Sequence, residues 1–220
     1  MQISMLIYPN FTALDLFGPL QIWTMLPDAK IELVAKELGP LPTDTPASLM
    51  STHTYETASK SPDILFAPGG TEGTFAIMED RATLDYLADT GARSGWVTSV
   101  CTGALVMGAA GLLKGYQATT HWAALDQLKN FGATPVKERW VIDRNRASGG
   151  GVTAGIDFGL AITAEIAGEE AARMAQLAVE YNPHPPYNSG HPDVATPETV
   201  TAVLDHFAET TARLATTEKT

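Results

Sequence analysis

The chain has 220 residues, 45% of them hydrophobic, which is enough apolar material for one substantial core and predicts a single domain over 1–220. Its formal net charge of −11 argues against nucleic acid or an anionic membrane surface as the main partner, because both would repel it. The one cysteine excludes an internal disulfide, and Met1-Gln2-Ile3-Ser4 lacks the charged-then-apolar pattern of a signal peptide, so we expect a cytoplasmic protein.

Strands and helices are predicted to alternate along the first half of the chain. Apolar and β-branched runs predict strands at 2–8, 30–35, 63–67 and 96–100. We expect a helix after a loop that contains Asp15, and a second helix from Thr71 to about Gly91. The proline-rich stretch 39–51 predicts a hairpin or an irregular excursion.

The second half continues this alternation. It predicts a short strand at 117–119, a helix from 121 to about 131, a hairpin at 140–148 and a helix from Thr153 to Gly168. A further helix is expected from Glu169, with Met174, Leu177 and Tyr181 on one side. An extended segment at 183–197 and a last helix from Pro197, with a frayed tail at 216–220, complete the prediction. This order favours an α/β fold with a doubly wound, mainly parallel sheet, in which ligands collect beyond the carboxyl ends of the strands.

Cys101 lies at a predicted corner between a strand and a helix. Trp96 to Val100 predicts a buried strand, Gly103 to Gly111 predicts a closely packed helix, and a sharp turn between them leaves room only for small neighbours. Such a nucleophile elbow would turn the sulfur toward the amino end of the helix, where the dipole favours a thiolate. We therefore expect a lowered thiol pKa and a nucleophilic Cys101; the alternative is an inert core cysteine.

Backbone donors for the charge that develops during catalysis are expected at two turns. The N–H groups of Gly69, Gly70 and Thr102 follow strand ends at the same edge of the sheet, which suits an oxyanion hole. The alternative for Gly69 and Gly70 is an ordinary turn between a strand and a helix.

Asp15 is the acid that we expect to pair with the thiol. Its neighbours Ala13, Leu14, Leu16 and Phe17 are apolar, and desolvation there raises a carboxyl pKa, as does a nearby thiolate. A protonated carboxyl could then donate to that thiolate, and the two groups would titrate as a coupled pair. The alternative is that Asp15 caps the helix that follows it.

The histidines give a weaker signal. His121 could reach the site as a secondary residue, but Thr102 rather than a histidine follows Cys101, so the sequence offers no adjacent base. The remaining histidines lack the spacing of metal ligands, so we expect no metal, and Gly149-Gly150-Gly151 lacks the lysine of a phosphate-binding loop.

The chain resembles the ThiJ/PfpI superfamily of glutamine-amidotransferase-like proteins. The resemblance rests on Ala67-Pro68-Gly69-Gly70, Ser99-Val100-Cys101-Thr102-Gly103 and Ala118-Thr119-Thr120-His121-Trp122. Within that superfamily the chain is most similar to the bacterial isocyanide (isonitrile) hydratase family. That similarity rests on Leu14-Asp15-Leu16 with Gly18-Pro19, on the run from Gly149 to Phe158, and on Glu180-Tyr181 with Pro185-Pro186-Tyr187-Asn188.

The resemblance implies a flavodoxin-like sheet, a homodimer and Cys101 as the nucleophile, and we expect no cofactor. It also implies an aspartate at Asp15, where many members of the superfamily carry glutamate, and a small isocyanide as substrate with an N-substituted formamide as product. The missing histidine after Cys101 departs from the protease-like branch. Two alternatives remain: a glyoxalase-like or amidase-like enzyme that uses the same thiol, and a thiol-based sensor, because related domains occur in AraC-type transcription regulators.

Overall fold

The computed structural model describes the backbone of residues 1–217 and the side chains of residues 1–210. Its centre is a seven-stranded sheet, whose strands are β1 (Gln2–Leu6), β2 (Lys30–Ala35), β5 (His53–Thr54), β6 (Ile64–Ala67), β7 (Trp96–Val100), β10 (Trp140–Asp143) and β11 (Arg146–Gly149). The strand order is β10-β11-β7-β6-β1-β2-β5, in which the β10–β11 pair is antiparallel and the other pairs are parallel. The predicted α/β, flavodoxin-like sheet is confirmed.

Two small sheets lie outside the central one. The first is the hairpin of β3 (Pro40–Pro42) and β4 (Ser48–Met50), so the excursion predicted at 39–51 is a hairpin. The second pairs β8 (Gln117–Ala118) with β9 (Thr134–Pro135) in parallel.

Helices follow most of the central strands. They are α1 (Ala13–Trp23), α2 (Thr71–Glu79), α3 (Arg81–Gly91), α4 (Gly103–Ala109), α5 (Ala154–Ala167), α6 (Glu169–Ala178) and α7 (Pro197–Thr217), and a 3-10 helix spans Trp122–Phe131. The helix predicted from Thr153 to Gly168 is therefore confirmed, with those two residues as its caps. Of the predicted frayed tail, 218–220 lie outside the described residues.

Two sequence-based expectations need correction. Asp15 lies in the first turn of α1 and not in a loop, because the helix begins at Ala13 and contains Pro19. The helix predicted from Thr71 to Gly91 is interrupted at Asp80, whose backbone is extended (φ −78, ψ 99) and which caps both α2 and α3. In α6, the side that carries Met174 and Leu177 is exposed, and the small residues Ala172 and Ala175 form the buried face.

Helices α1 and α5 pack closely because glycines face Pro19. A Cβ at Gly155 would lie 3.1 Å from Cδ of Pro19, and one at Gly159 would lie 3.2 Å from its Cα. Behind this contact Trp23 meets Phe66 and Phe158 edge to face, with ring centroids 5.5 and 6.1 Å apart. The packing fixes the amino ends of α1 and α5 beside the carboxyl ends of β1 and β7.

The chain divides into two compact units. Met1–Val179 contains the sheets and all the candidate site residues, and the second unit begins at Glu180 and contains the proline-rich segment and α7. A single domain over 1–220 stays a prediction. No helix within the described residues has the length and apolar character needed to cross a membrane.

Candidate functional site

Cys101 directly follows β7 and adopts the left-handed conformation, with φ at 55°. A non-glycine residue in this region is strained, and such strain persists only where the surroundings hold it. Its N–H donates to the carbonyl oxygens of Gly149 and Gly150 at 3.1 and 2.9 Å, and its own carbonyl accepts from Oγ1 of Thr120 at 2.7 Å. The predicted sharp corner at Cys101 is confirmed.

Gly103 is the neighbour that this corner requires. A Cβ built on it would collide with the carbonyl oxygens of Ala67 and Pro68 at the end of β6. A larger residue there would push the elbow away from β6, so the glycine two positions after Cys101 has a direct steric cause.

Asp15 is fully buried beside the elbow. Its Oδ2 accepts the N–H of Gly69 at 2.9 Å, and its Oδ1 is buried without a hydrogen-bond partner among the described residues. Burial, with a smaller contribution from Asp44, raises the pKa of Asp15 from 3.8 to about 7, although the Gly69 N–H and Cys101 oppose the rise. At neutral pH this carboxyl can both hold and release a proton, as the sequence predicts.

The helix cap expected as an alternative role for Asp15 is supplied by another residue. Oδ1 of Asp44, in the β3–β4 hairpin, accepts the N–H of Ala13 at 2.9 Å at the start of α1. The Asp15 side chain bonds instead to the loop after β6. Asp15 is therefore not the cap of α1.

The expected lowering of the Cys101 pKa is wrong. Burial raises the pKa of this thiol well above its ordinary value, and the Asp15 carboxylate beside it raises it further. The N–H groups of Thr102 and Val152 lower the pKa by hydrogen bonding to the sulfur, but they do not outweigh burial. The resting cysteine is therefore a neutral thiol that must lose its proton when it attacks.

The predicted backbone donors occupy two different positions. The N–H of Gly69 is bound to Asp15, and that of Gly70 donates to Oγ1 of Thr102 at 3.1 Å, so both are engaged in this structure. The N–H groups of Thr102 and Val152 bond to the sulfur, and the role of the Thr102 N–H as an oxyanion donor stays a prediction. Sequence reasoning missed Val152; the signal that could have found it is the glycine run just before it, which leads the backbone past the elbow.

Gly69 lies between Asp15 and the elbow residue Thr102 and packs closely against both. A Cβ built on it would lie 2.6 Å from both N and Oγ1 of Thr102 and 2.8 Å from Oδ2 of Asp15. Real Cβ atoms do not approach other atoms this closely, so Gly69 is required for the acid and the elbow to meet.

His121 lies at the border of the site. Its Nδ1 accepts the N–H of Ala123 at 3.3 Å, and its Cδ2 would lie 2.8 Å from a Cβ at Gly151, the residue before Val152. Burial lowers the pKa of His121, so the ring is neutral at pH 7. Its role as a secondary residue stays a prediction.

Together these groups can add a thiol to a small electrophile. The sulfur is a soft nucleophile, Asp15 can take and return its proton, and two N–H groups stabilise charge next to the sulfur. Within residues 1–210, whose side chains the structure describes, no group of three or more His, Cys, Asp or Glu side chains is arranged to hold a metal ion.

Comparison with known proteins gives consistent matches. The profile of the DJ-1/PfpI family matches residues 1–165. The isonitrile hydratase of Pseudomonas putida is 47% identical over 195 residues, which cover 89% of this chain and 85% of that protein. The HTH-type transcriptional regulator CdhR of Pseudomonas aeruginosa is 30% identical over 136 residues, which cover 61% of this chain and 40% of the regulator.

Solved structures give the same result. The crystal structure of a ThiJ/PfpI family protein from Pseudomonas syringae has a TM-score of 0.93 and 48% sequence identity, and the match covers 97% of this chain and 88% of that one.

Proposed function

Because the chain belongs to the DJ-1/PfpI family, we propose that it hydrates isocyanides to N-substituted formamides, with Cys101 as the nucleophile and Asp15 as the acid–base group. The observation that carries the proposal is the buried pair of a neutral thiol and a carboxyl whose pKa is about 7. The similarity to an isonitrile hydratase over most of both chains supports the substrate class.

An isocyanide suits this site because its reacting carbon is terminal and unhindered. The residue Cys101 is only 7% exposed, so a bulky electrophilic centre would not reach the sulfur without displacing neighbouring residues. A terminal carbon at the end of a linear group can approach through a narrow opening. The carbon also accepts both a nucleophile and a proton, which the pair of Cys101 and Asp15 provides.

The first half of the reaction forms a thioimidate. The Asp15 carboxylate accepts the thiol proton as the sulfur attacks, a carbon–sulfur bond forms, and the electron pair of the isocyanide carbon takes the proton from Asp15. The product is R–N=CH–S–Cys101, and Asp15 is a carboxylate again. The N–H groups of Thr102 and Val152 stabilise the charge on the sulfur during the transfer.

The second half consumes one water molecule. Asp15 removes a proton from water as the oxygen attacks the thioimidate carbon, and this proton passes to the substrate nitrogen. The carbon–sulfur bond then breaks, the sulfur leaves with the electron pair and is reprotonated from the new hydroxyl group through Asp15, and R–NH–CHO is released. One isocyanide and one water give one formamide, and both protein groups return to their resting states.

The test is to incubate the purified protein with an aryl isocyanide and to follow the formamide by chromatography, with Cys101→Ala as the blank. We expect formamide from the parent protein alone. Parallel reactions with methylglyoxal and with a simple amide test the glyoxalase-like and amidase-like alternatives. Absence of formamide at high enzyme concentration, or turnover of either alternative substrate in its place, would overturn the proposal.

We further infer a cytoplasmic homodimer that needs no cofactor. The reaction steps above use only side chains, backbone groups and water, which supports the inference that no cofactor is needed. Three apolar side chains on and just after α1 are each at least 40% exposed: Leu14, Phe17 and Met25. Helix α1 therefore offers apolar surface for a second copy. Sedimentation at micromolar concentration measures the assembly, and a monomer throughout would contradict the dimer.

A further inference from the structure

Three hydroxyl groups form a chain behind the elbow, which we call the hydroxyl network: those of the buried Tyr8 and Thr74 and that of the partly buried Thr102. Oγ1 of Thr74 lies 2.8 Å from Oγ1 of Thr102 and 3.4 Å from the Tyr8 hydroxyl. Tyr8 and Thr74 are almost completely buried, and burial raises the pKa of Tyr8, so its hydroxyl keeps its proton.

The hydroxyl network holds the loop Pro68–Gly70 from both ends. The Tyr8 hydroxyl donates to the carbonyl of Pro68 at 2.8 Å. At the other end, Oγ1 of Thr102 accepts the N–H of Gly70 at 3.1 Å and lies 3.3 Å from its carbonyl oxygen. Between these two anchors lies Gly69, whose N–H holds the Asp15 carboxylate.

Two assignments of protons satisfy the network, and in both Tyr8 donates to the carbonyl of Pro68. In the first, Thr102 donates to the Gly70 carbonyl and Thr74 donates to Thr102; in the second, Thr102 donates to Thr74, which donates to Tyr8. Thr74 has the critical position in both, because its hydroxyl is the side-chain partner of the Thr102 hydroxyl. Without it, Oγ1 of Thr102 loses that hydrogen bond in a partly buried environment.

We propose that Thr74 of helix α2 is a positioning residue that, through Thr102, sets the distance between the Asp15 carboxylate and the Cys101 sulfur. This deepens the proposed function and rests on it. Thr102 is the shared element: its side chain holds the loop that anchors Asp15, and its backbone N–H bonds to the sulfur. A shift of Thr102 therefore moves both reacting groups relative to each other.

Substitution of Thr74 separates the hydroxyl group from the size of the side chain. Thr74→Val keeps the shape and removes the hydroxyl group, whereas Thr74→Ser keeps the hydroxyl group and removes one methyl group. The matched control is Thr163→Val, because Thr163 is also a buried helical threonine, with Oγ1 2.8 Å from the carbonyl of Gly159, and it takes no part in the network.

We expect Thr74→Val to lower kcat on the order of 10- to 100-fold with little change in KM, since a misplacement of about 1 Å can cost about 10²-fold in rate. Thr74→Ser should restore most of the rate. Thr163→Val should lower the melting temperature to a similar extent as Thr74→Val, and it should leave kcat unchanged. Parent-like kcat in Thr74→Val, or an equal loss of kcat in Thr163→Val, would overturn the proposal.

A second measurement separates this proposal from the hydratase activity. The rate at which iodoacetamide alkylates Cys101 against pH reports the thiol pKa in any variant, whether or not the parent hydrates isocyanides. Because the Thr102 N–H lowers that pKa, its displacement in Thr74→Val should move the alkylation profile to higher pH. An unchanged profile would contradict the positioning role, and failure of the hydratase assay with a shifted profile would contradict the proposed function alone.

Discussion

Asp44 caps the helix that carries Asp15, and its negative charge raises the pKa of that buried carboxyl. The hairpin of β3 and β4, which lies outside the central sheet, thus acts on the acid of the candidate site. Burial of Asp15 is the larger cause of the raised pKa, and Asp44 adds to it.

Asp44→Asn should lower the pKa of Asp15, because the amide removes the charge and its oxygen can still accept the Ala13 N–H. Asp15 would then be a carboxylate at lower pH, so the acid limb of the kcat profile should move to lower pH. An unmoved acid limb would show that the charge of Asp44 does not reach Asp15. Asp44→Ala is the control, since it also removes the cap and should cost about 1 kcal/mol in unfolding free energy by denaturant titration.

Asp15→Asn should lower kcat by about 10² to 10⁴, the usual contribution of a general acid–base group. The amide oxygen can still accept the Gly69 N–H, so the loop should keep its position, but the variant cannot carry the thiol proton. Formamide production under saturating substrate measures the effect. Near-parental turnover would assign Asp15 a structural role.

The same substitution should change how stability depends on pH. The pKa of Asp15 is about 7 in the folded protein and 3.8 in the reference state, so the folded state binds more protons between these values. Stability from this group is therefore fully present below about pH 4 and is lost as the pH rises to about 7. Denaturant titrations at pH 4.5 and 8 should show Asp15→Asn gaining stability relative to the parent at the higher pH, and a constant difference would contradict the raised pKa.

Cys101→Ser and Cys101→Ala should abolish formamide production and leave the melting temperature close to that of the parent. Both side chains are small, and both occupy the same strained backbone conformation as cysteine, so only the nucleophile is removed. Circular dichroism reports the fold and chromatography reports the product. Retained turnover in either variant would show that the cysteine is structural.

Gly69→Ala should reduce both stability and activity. The new Cβ would lie within 2.8 Å of Thr102 and Asp15, so the loop must shift, at an expected cost of about 1 to 3 kcal/mol. The matched control is Gly190→Ala, because a Cβ there meets nothing within 4 Å. Unfolding free energies and kcat are compared; a Gly69→Ala variant as stable and active as Gly190→Ala would contradict the geometry.

The elbow and the acid could be predicted because their signals are local. The strand from Trp96 to Val100, the small residues after Cys101 and the apolar neighbours of Asp15 lie within a few positions of the group concerned. The sheet followed from the same kind of pattern, since apolar runs of four to six residues mark buried parallel strands.

The remaining features depend on contacts between distant segments. The Asp44 cap joins positions 31 residues apart, and the bond from Gly70 to Thr102 joins positions 32 apart. No local pattern shows which loop meets which helix end, so Gly70 was expected to offer a free N–H that is in fact bound. The prediction of a lowered thiol pKa was wrong for a related reason. The sequence indicated that the helix amino end lowers this pKa, but burial raises it, and the burial of Cys101 arises from several segments that fold around it.

A resting sulfur that keeps its proton also has a consequence for chemical selectivity. Thiolates, and not thiols, react quickly with peroxides and disulfides, so a buried neutral thiol is oxidised slowly. Cys101 would become strongly nucleophilic only when an electrophile small enough to enter is present and Asp15 can accept the proton. The raised pKa that slows unassisted attack therefore also keeps the protein's one cysteine in its reduced, working form between turnovers.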